Sequence, residues 1–370
     1  MEILYVCSWD KCREKTWSGT TYSLYKTLEA KIPVQNIDVT LNRKDKMFIK
    51  LQRLTDIKFK NEKVKIIHEF SSLKTKIYQK KVNRLIKNDK KSVVLQIGDY
   101  GLCDNKTYVY QDLSLDSLFY FKEKYNGLFQ YSGFQNYLED DMSKRRENQF
   151  KFYNNIQGIF TMGKWLANNL VEYSKIPKEK VHWVGGGINL NIKKVKPFPK
   201  SKNKILFVGR DFFRKGGDLV YKAFKVLKRY LPNVELYVAG PKEWPLKDKD
   251  DNLKFLGEIN SDELSDYFNL CDIFCMPSRF EAYGLVFIEA LVYGLPCIGR
   301  NNFEMKEFIK EGYNGYLIEN DDIEQLAIKM YQLLNNDDIK SNVVTDRNKY
   351  IKEYSWDTVA DRIINIINKA

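Results

Sequence analysis

Short apolar runs alternate along the chain with longer stretches whose apolar residues recur at helical spacing. Ile3–Val6, Val93–Ile97, Thr107–Tyr110, Gly158–Thr161 and Val181–Val184 predict strands in the first half. Lys204–Val208, Val234–Ala239, Leu253–Gly257 and Asp272–Cys275 predict them in the second. Helical spacing runs over 22–30, 140–155, 218–230, 322–335, 338–353 and 355–370, with another helix opening at Gly163. Unbroken apolar strands alternating with helices predict an α/β protein with parallel sheets covered on both faces. The Lys- and Pro-bearing stretch 191–203 reads as a linker. It sets a first domain at 1–195 apart from a second at 200–354.

The stretch Cys275–Cys297 organises the second half. A buried strand ends at Cys275, a loop follows, a helix opens near Tyr283–Gly284, and Gly294 and Pro296 stop it. Glu281 lies in the loop before the helix and Glu289 about one and a half turns inside it. The backbone amides of Ala282, Tyr283, Gly284 and Leu285 are then the unpaired N–H groups of a helix N-terminus, a seat for phosphate oxygens. Carboxylates on either side of such a seat suit a nucleotide sugar, which has hydroxyls at both ends and phosphates between. A glutamate at the start of an ordinary strand-loop-helix unit is the other reading. Upstream, Arg210 and Lys215 stand at the mouth of another strand-to-helix loop, Gly209–Gly217. Two fixed cations there would neutralise a diphosphate leaving group in place of a metal, although exposed loop cations are common.

The stretch resembles the E-x7-E motif of the retaining GT-B glycosyltransferases of family GT4, through Pro277–Ser278, Glu281, Tyr283–Leu285, Glu289–Ala290 and Gly294–Pro296. The resemblance is clearest over 200–320 and weaker over 1–200. It implies two Rossmann-like doubly wound domains facing across a cleft, an acceptor-side one at 1–195 and a nucleotide-sugar-binding one at 200–354, with the last helix, 355–370, packing back on the first domain. In that family the Gly-Arg…Lys-Gly loop holds the diphosphate, which Arg210 and Lys215 match. Glu289 would hold the ribose, Glu281 the sugar, and the turn at Gly257 the base through backbone groups. Gly19, in Trp17-Ser-Gly-Thr20, matches a loop near the donor diphosphate in which many relatives have two glycines. Asp112 matches the aspartate of a His-Asp pair near the donor sugar. Gln111 stands where the histidine would be, and a simple turn residue is the competing reading of Asp112. Gly185-Gly-Gly-Ile-Asn189 resembles the segment that closes the first domain.

Composition narrows the classes. Of the net charge of +13, residues 1–200 carry +16 and residues 201–370 carry −3. A basic half beside a near-neutral one suits an anionic bilayer surface or a phosphate-bearing acceptor, or a lysine-rich solvated face. Residues 43–91 are dense in Lys and Arg with Met47, Phe48, Leu51, Leu54, Phe70, Leu73, Ile77 and Leu85 interleaved, the spacing of amphipathic helices with basic outer faces. Six scattered cysteines without a C-x-x-C pair read as reduced thiols, and two histidines support a metal site poorly. Asp248-Lys-Asp250 is formally a D-x-D but lies in a run of charges and reads as a solvated loop. Neither G-x-G-x-x-G nor a phosphate-loop motif follows a strand. The expectations are therefore a retaining, metal-independent hexosyltransferase with no cofactor. Its partners would be a nucleotide sugar, UDP-linked rather than GDP-linked, and a glycan or a lipid- or protein-linked acceptor, with no nucleic acid. With no membrane-length apolar run and no signal peptide, the expected location is the cytoplasm, with peripheral contact at the inner membrane face. A sugar-nucleotide epimerase and a non-catalytic nucleotide-sugar-binding or membrane-surface protein are the alternatives.

Overall fold

The computed structural model describes residues 1–52, 70–137, 139–196 and 203–369 of the 370-residue chain. Leu54 in the basic stretch and the 197–202 part of the linker lie outside the described residues. The chain forms two compact units. The first comprises Met1–Asn126, Gly133–Gly185 and the C-terminal helix from Val359; the second comprises Gly127–Ser132 and Gly186–Thr358.

In the first unit β1 (Ile3–Cys7), β2 (Val34–Asp38), β3 (Val93–Ile97), β4 (Thr107–Gln111), β5 (Gly158–Thr161) and β6 (Val181–Trp183) form one sheet in the order β2-β1-β3-β4-β5-β6. Every pairing is parallel. All residues of β1, β3, β4 and β5 are buried, which is why these strands stand out as unbroken apolar runs. Strand β2 carries the mixed sequence Val-Gln-Asn-Ile-Asp with only Ile37 buried, so the hydrophobic pattern does not reveal it.

The second unit holds β7 (Lys204–Val208), β8 (Glu235–Ala239), β9 (Leu253–Gly257), β10 (Ile273–Cys275), β11 (Cys297–Arg300) and β12 (Gly315–Ile318), ordered β12-β11-β10-β7-β8-β9 and again wholly parallel. This is the doubly wound order in which the chain runs outward in both directions from a central pair, and ligands bind beyond the carboxyl ends of the strands at that reversal. The reversal falls between β1 and β3 in the first sheet and between β7 and β10 in the second.

Two helical predictions change in detail. The 338–353 helix is two, Asp337–Thr345 and Arg347–Glu353, broken at Asp346. The last helix runs Trp356–Lys369. Its Arg362 donates to the Val184 carbonyl at 3.1 Å, and Asp361 pairs with Lys31 at 3.0 Å.

The chain leaves the first unit at Gly185, ahead of the Lys- and Pro-bearing linker, because the residues after it bond within the second unit. Tyr110 donates to the Gly185 carbonyl at 2.9 Å, whereas the Gly186 amide donates to the Tyr283 hydroxyl at 2.9 Å. A Cβ on Gly187 would lie 2.4 Å from the Trp356 ring, whose indole N–H donates to Asn189 at 2.9 Å. Gly187→Ala should therefore cost about 1–3 kcal/mol by overpacking, read as a lower Tm. An unchanged Tm would mean that the indole moves aside without loss.

Candidate functional site

Beyond β7 the chain turns through Gly209–Gly216 into the helix Gly217–Leu227. A Cβ on Gly209 would sit 2.8 Å from the Lys215 side chain, so the bare backbone lets the lysine stem lie against the strand end. Gly216 has φ +78°, and a Cβ there would meet the Pro277 carbonyl at 2.6 Å. The loop after β7 thus packs backbone-to-backbone on the loop after β10. Two contacts join them directly: the Arg279 amide donates to the Arg214 carbonyl at 2.8 Å, and the Arg214 guanidinium donates to the Phe280 carbonyl at 2.9 Å.

This junction brings Lys215 and Glu281, 66 residues apart, into an ion pair. Their side chains are only 14% and 11% exposed. Burial, and after it the Arg214 guanidinium, push the Lys215 ammonium well below its usual range; the Glu281 carboxylate against it is what makes a buried cation tolerable. Behind the pair lies a second charged layer that motif reading does not single out. Arg279 donates to both Asp218 oxygens at 2.6 and 2.9 Å and to Asp321 at 2.8 Å. Arg300, fully buried, pairs with the same Asp321 and donates to the Ser278 carbonyl at 3.3 Å.

The Glu289 helix begins at Leu285, later than predicted, because Gly284 at φ +92° caps it in a left-handed conformation. Ala282 and Tyr283 consequently lie in the preceding loop, and the amides at the helix start begin at Leu285. Tyr283 is buried with its hydroxyl on Gly186. Glu289 is buried too, and accepts the Asn189 amide at 3.3 Å. Burial pushes its carboxyl up to about 7, against the pull of the Asn189 and Leu190 amides. Arg210 is exposed. Gly257 ends β9 with φ +70° and open space where a Cβ would be. The D-x-D pair is engaged rather than simply solvated: Asp248 accepts from Lys225 and Asp250 from Lys228, at 2.8 and 2.5 Å.

In the first unit Trp17, Ser18 and Gly19 occupy successive left-handed conformations, φ 48°, 56° and 89°, a strained arrangement for the two that carry side chains. They carry the Trp17 side chain to Asp112, whose carboxyl it hydrogen-bonds, and edge-on to the Tyr110 ring at 5.9 Å. Burial pushes the Asp112 carboxyl up to about 6. Gln111 is locked to the Tyr153 hydroxyl at 2.7 and 3.0 Å. Beside them a cavity of about 470 Å³ opens beyond β1, β3 and β4, at the reversal of that sheet. Among the described residues no three His, Cys, Asp or Glu side chains gather as metal ligands.

Solved structures share this architecture. WaaG, a glycosyltransferase involved in lipopolysaccharide biosynthesis, superposes over all of both chains with a TM-score of 0.67 at 15% identity. A glycosyltransferase of Rickettsia africae does so over 100% of this chain and 98% of its own, with a TM-score of 0.65 at 16% identity. The fold is that of the GT-B glycosyltransferases. Residues 189–355 of this GT-B chain match the family model for glycosyl transferases group 1. An uncharacterized glycosyltransferase of Methanocaldococcus jannaschii is 25% identical over 62% of this chain and 64% of its own length. The phosphatidyl-myo-inositol mannosyltransferase of Mycobacterium leprae is 25% identical over 46% of this chain and 47% of its own. The matched segments thus span about half to just under two thirds of these curated relatives.

The Glu289 carboxyl gives a sign-definite test. Its pKa is raised in the folded state, so its contribution to stability is present below the usual glutamate pKa of 4.5 and is lost as pH rises through about 7. Glu289→Gln should therefore be more stable than wild type at pH 8, by a margin of order 3 kcal/mol, and the margin should close at pH 4.5. Thermal denaturation at both pH values checks this.

Proposed function

We propose that this chain is a retaining, metal-independent glycosyltransferase that moves a hexosyl group from a nucleotide sugar, UDP-linked rather than GDP-linked, to the hydroxyl of a glycan or of a lipid- or protein-linked acceptor. The observation that carries the reading is the Lys215–Glu281 pair at the β7/β10 reversal, one loop before the Glu289 helix. When a donor enters, its diphosphate replaces Glu281 as the counter-ion of Lys215, and exposed Arg210 adds a second cation. Glu281 is then released to the sugar hydroxyls, Glu289 takes the ribose, and the amides from Leu285 onward face the β-phosphate. The acceptor oxygen attacks the anomeric carbon from the face that the nucleotide leaves. The C–O bond to the diphosphate breaks, and the acceptor proton passes to the departing phosphate oxygen.

UDP agrees with the pneumococcal O-GlcNAc transferase whose structure holds UDP and GlcNAc, 16% identical with a TM-score of 0.57 over 79% of this chain and 60% of its own. Peripheral membrane contact draws support from the helix Arg43–Gln52, which exposes Met47, Phe48 and Leu51 beside Lys44, Lys46 and Lys50. No described helix is long and apolar enough to cross a membrane. A non-catalytic reading draws on Gln111, whose carboxamide is occupied by Tyr153.

Calorimetry with UDP, GDP and ADP, with and without EDTA, tests the proposal. One nucleotide, UDP first, should bind without regard to EDTA, and Lys215→Ala and Glu289→Ala should each weaken it about tenfold or more. If no nucleotide binds, or both variants bind as wild type does, the proposal fails.

A further inference from the structure

The chain contributes to the second unit twice. The main part is Gly186–Thr358; the other is Gly127–Ser132, six residues whose flanks on both sides belong to the first unit. These six fold as a tight turn. The Tyr131 amide donates to the Leu128 carbonyl at 3.0 Å, and the Ser132 amide and hydroxyl both donate to the Phe129 carbonyl, at 3.0 and 2.6 Å. Gly133 at φ +84° then leads the chain out of the turn. Phe129 is buried and Tyr131 half-buried. The match to the family model, over 189–355, does not reach this segment.

The Tyr131 ring lies on Arg279, with the guanidinium carbon 4.3 Å from the ring centroid. Arg279 is 2% exposed, and its edge is already in use. Nε donates to Asp321 at 2.8 Å, Nη1 to Asp218 and to the Phe213 carbonyl, both at 2.6 Å, and Nη2 to Asp218 at 2.9 Å. A planar guanidinium so engaged has its faces left to offer. A ring on one of them attracts the cation and keeps water off it, the more strongly where solvent is excluded. Water is close by, because the Asp321 side chain is 37% exposed. Solvent on the guanidinium face would raise the local dielectric and weaken the bonds to both aspartates. Those bonds hold the loop after β7. Asp218 lies in the first turn of the helix that follows the loop, and the loop itself carries Phe213, Arg214 and Lys215. Two residues beyond Arg279 stands Glu281, the partner of Lys215.

We infer that Tyr131 is a positioning residue of the diphosphate site: its ring, laid on Arg279, keeps the loops after β7 and β10 in the register that presents Lys215 to the donor. The inference rests on the reading of Lys215 as a diphosphate ligand in sugar transfer.

The test compares a nucleoside diphosphate with its nucleoside on the full-length protein. Calorimetry reads the diphosphate that the wild type binds among UDP, GDP and ADP, and saturation-transfer NMR reads uridine, guanosine or adenosine to match. Tyr131→Leu should weaken the diphosphate about three- to tenfold and leave the nucleoside unchanged, because the nucleoside has no phosphate to meet Lys215. Tyr131→Phe, which keeps the ring, should bind the diphosphate as wild type does. Arg279→Lys keeps the charge but loses the planar fork, and should weaken the diphosphate as well. The double variant, Tyr131→Leu with Arg279→Lys, should lose less than the product of the two single losses, since both act through one contact. Four results would each overturn the inference: Tyr131→Leu binding the diphosphate as wild type does, diphosphate and nucleoside weakening together, Tyr131→Phe as weak as Tyr131→Leu, or two losses that multiply independently. Wild-type binding separates the two levels. If a diphosphate binds, any of these results removes only the role of Tyr131; if none of the three binds, the glycosyltransferase reading fails and this inference with it.

Discussion

A buried ammonium is expensive unless an anion is held against it in good geometry, and the second unit is built around satisfying that condition for Lys215. Glu281 can reach it only because the loops after β7 and β10 touch. They touch because Gly216 has no side chain to strike the Pro277 carbonyl. Arg279 then fixes their separation. Its backbone amide is bonded to Arg214, and its guanidinium is clamped on Asp218 at the start of the following helix and on Asp321 beyond β12. The rigidity of the pair is thus set one layer below it, by two buried arginines sharing Asp321. That layer also keeps the pair responsive. Because the arginines rather than Lys215 hold the loops in register, an incoming anion can take over the lysine without the loops coming apart.

The two deep carboxyls, Glu289 and Asp112, follow a different logic. Neither has a cation against it among the described residues; each is stabilised by neutral donors, the amides of Asn189 and Leu190 in one case and the Trp17 side chain in the other. Burial outweighs those donors and raises both pKa values toward neutrality. A carboxyl without a salt bridge keeps its lone pairs for hydroxyl donors. Such groups suit sugar and ribose recognition better than ion pairs do, and the raised pKa values are the energetic mark they leave on the folded protein.

Much of this architecture was legible in the sequence because parallel strands covered on both faces must be apolar throughout. The runs at Ile3, Val93, Thr107, Gly158, Lys204 and Leu253 are strands where the pattern put them. Strand β2 escaped because an edge strand with one buried residue carries no such signal. The helix before Glu289 starts later than its neighbours suggest, since only the left-handed φ of Gly284 sets the cap, and a glycine in sequence does not declare its φ. Lys215 and Glu281 were each identifiable from their loops, but their contact was not, since it depends on a close approach between residues 66 positions apart. Arg279 and Arg300 were the least visible. One stands in a loop and the other at the end of β11, and nothing local distinguishes an arginine destined for burial from one facing water. The clue available was the count of acids nearby in the fold, which needs the fold.

Gln111 stands where the resemblance to family GT4 would place a histidine. A histidine at the end of β4 would present a ring nitrogen to whatever lies beyond the strand. The carboxamide instead closes on the Tyr153 hydroxyl from the helix Glu139–Asn155. Both polar atoms of Gln111 are thereby satisfied inside the protein, as a buried amide requires. Polar contact beyond β4 then passes to the next residue, Asp112, and to the loop that covers it. That loop is held in a strained conformation through Trp17 and Ser18, and backbone strain of this kind persists only where the surrounding structure fixes it. Here the indole contacts to Asp112 and Tyr110 do so. The strain and the buried carboxamide therefore belong to one arrangement: a strand end whose glutamine is closed on Tyr153, followed by a carboxyl covered by an aromatic lid.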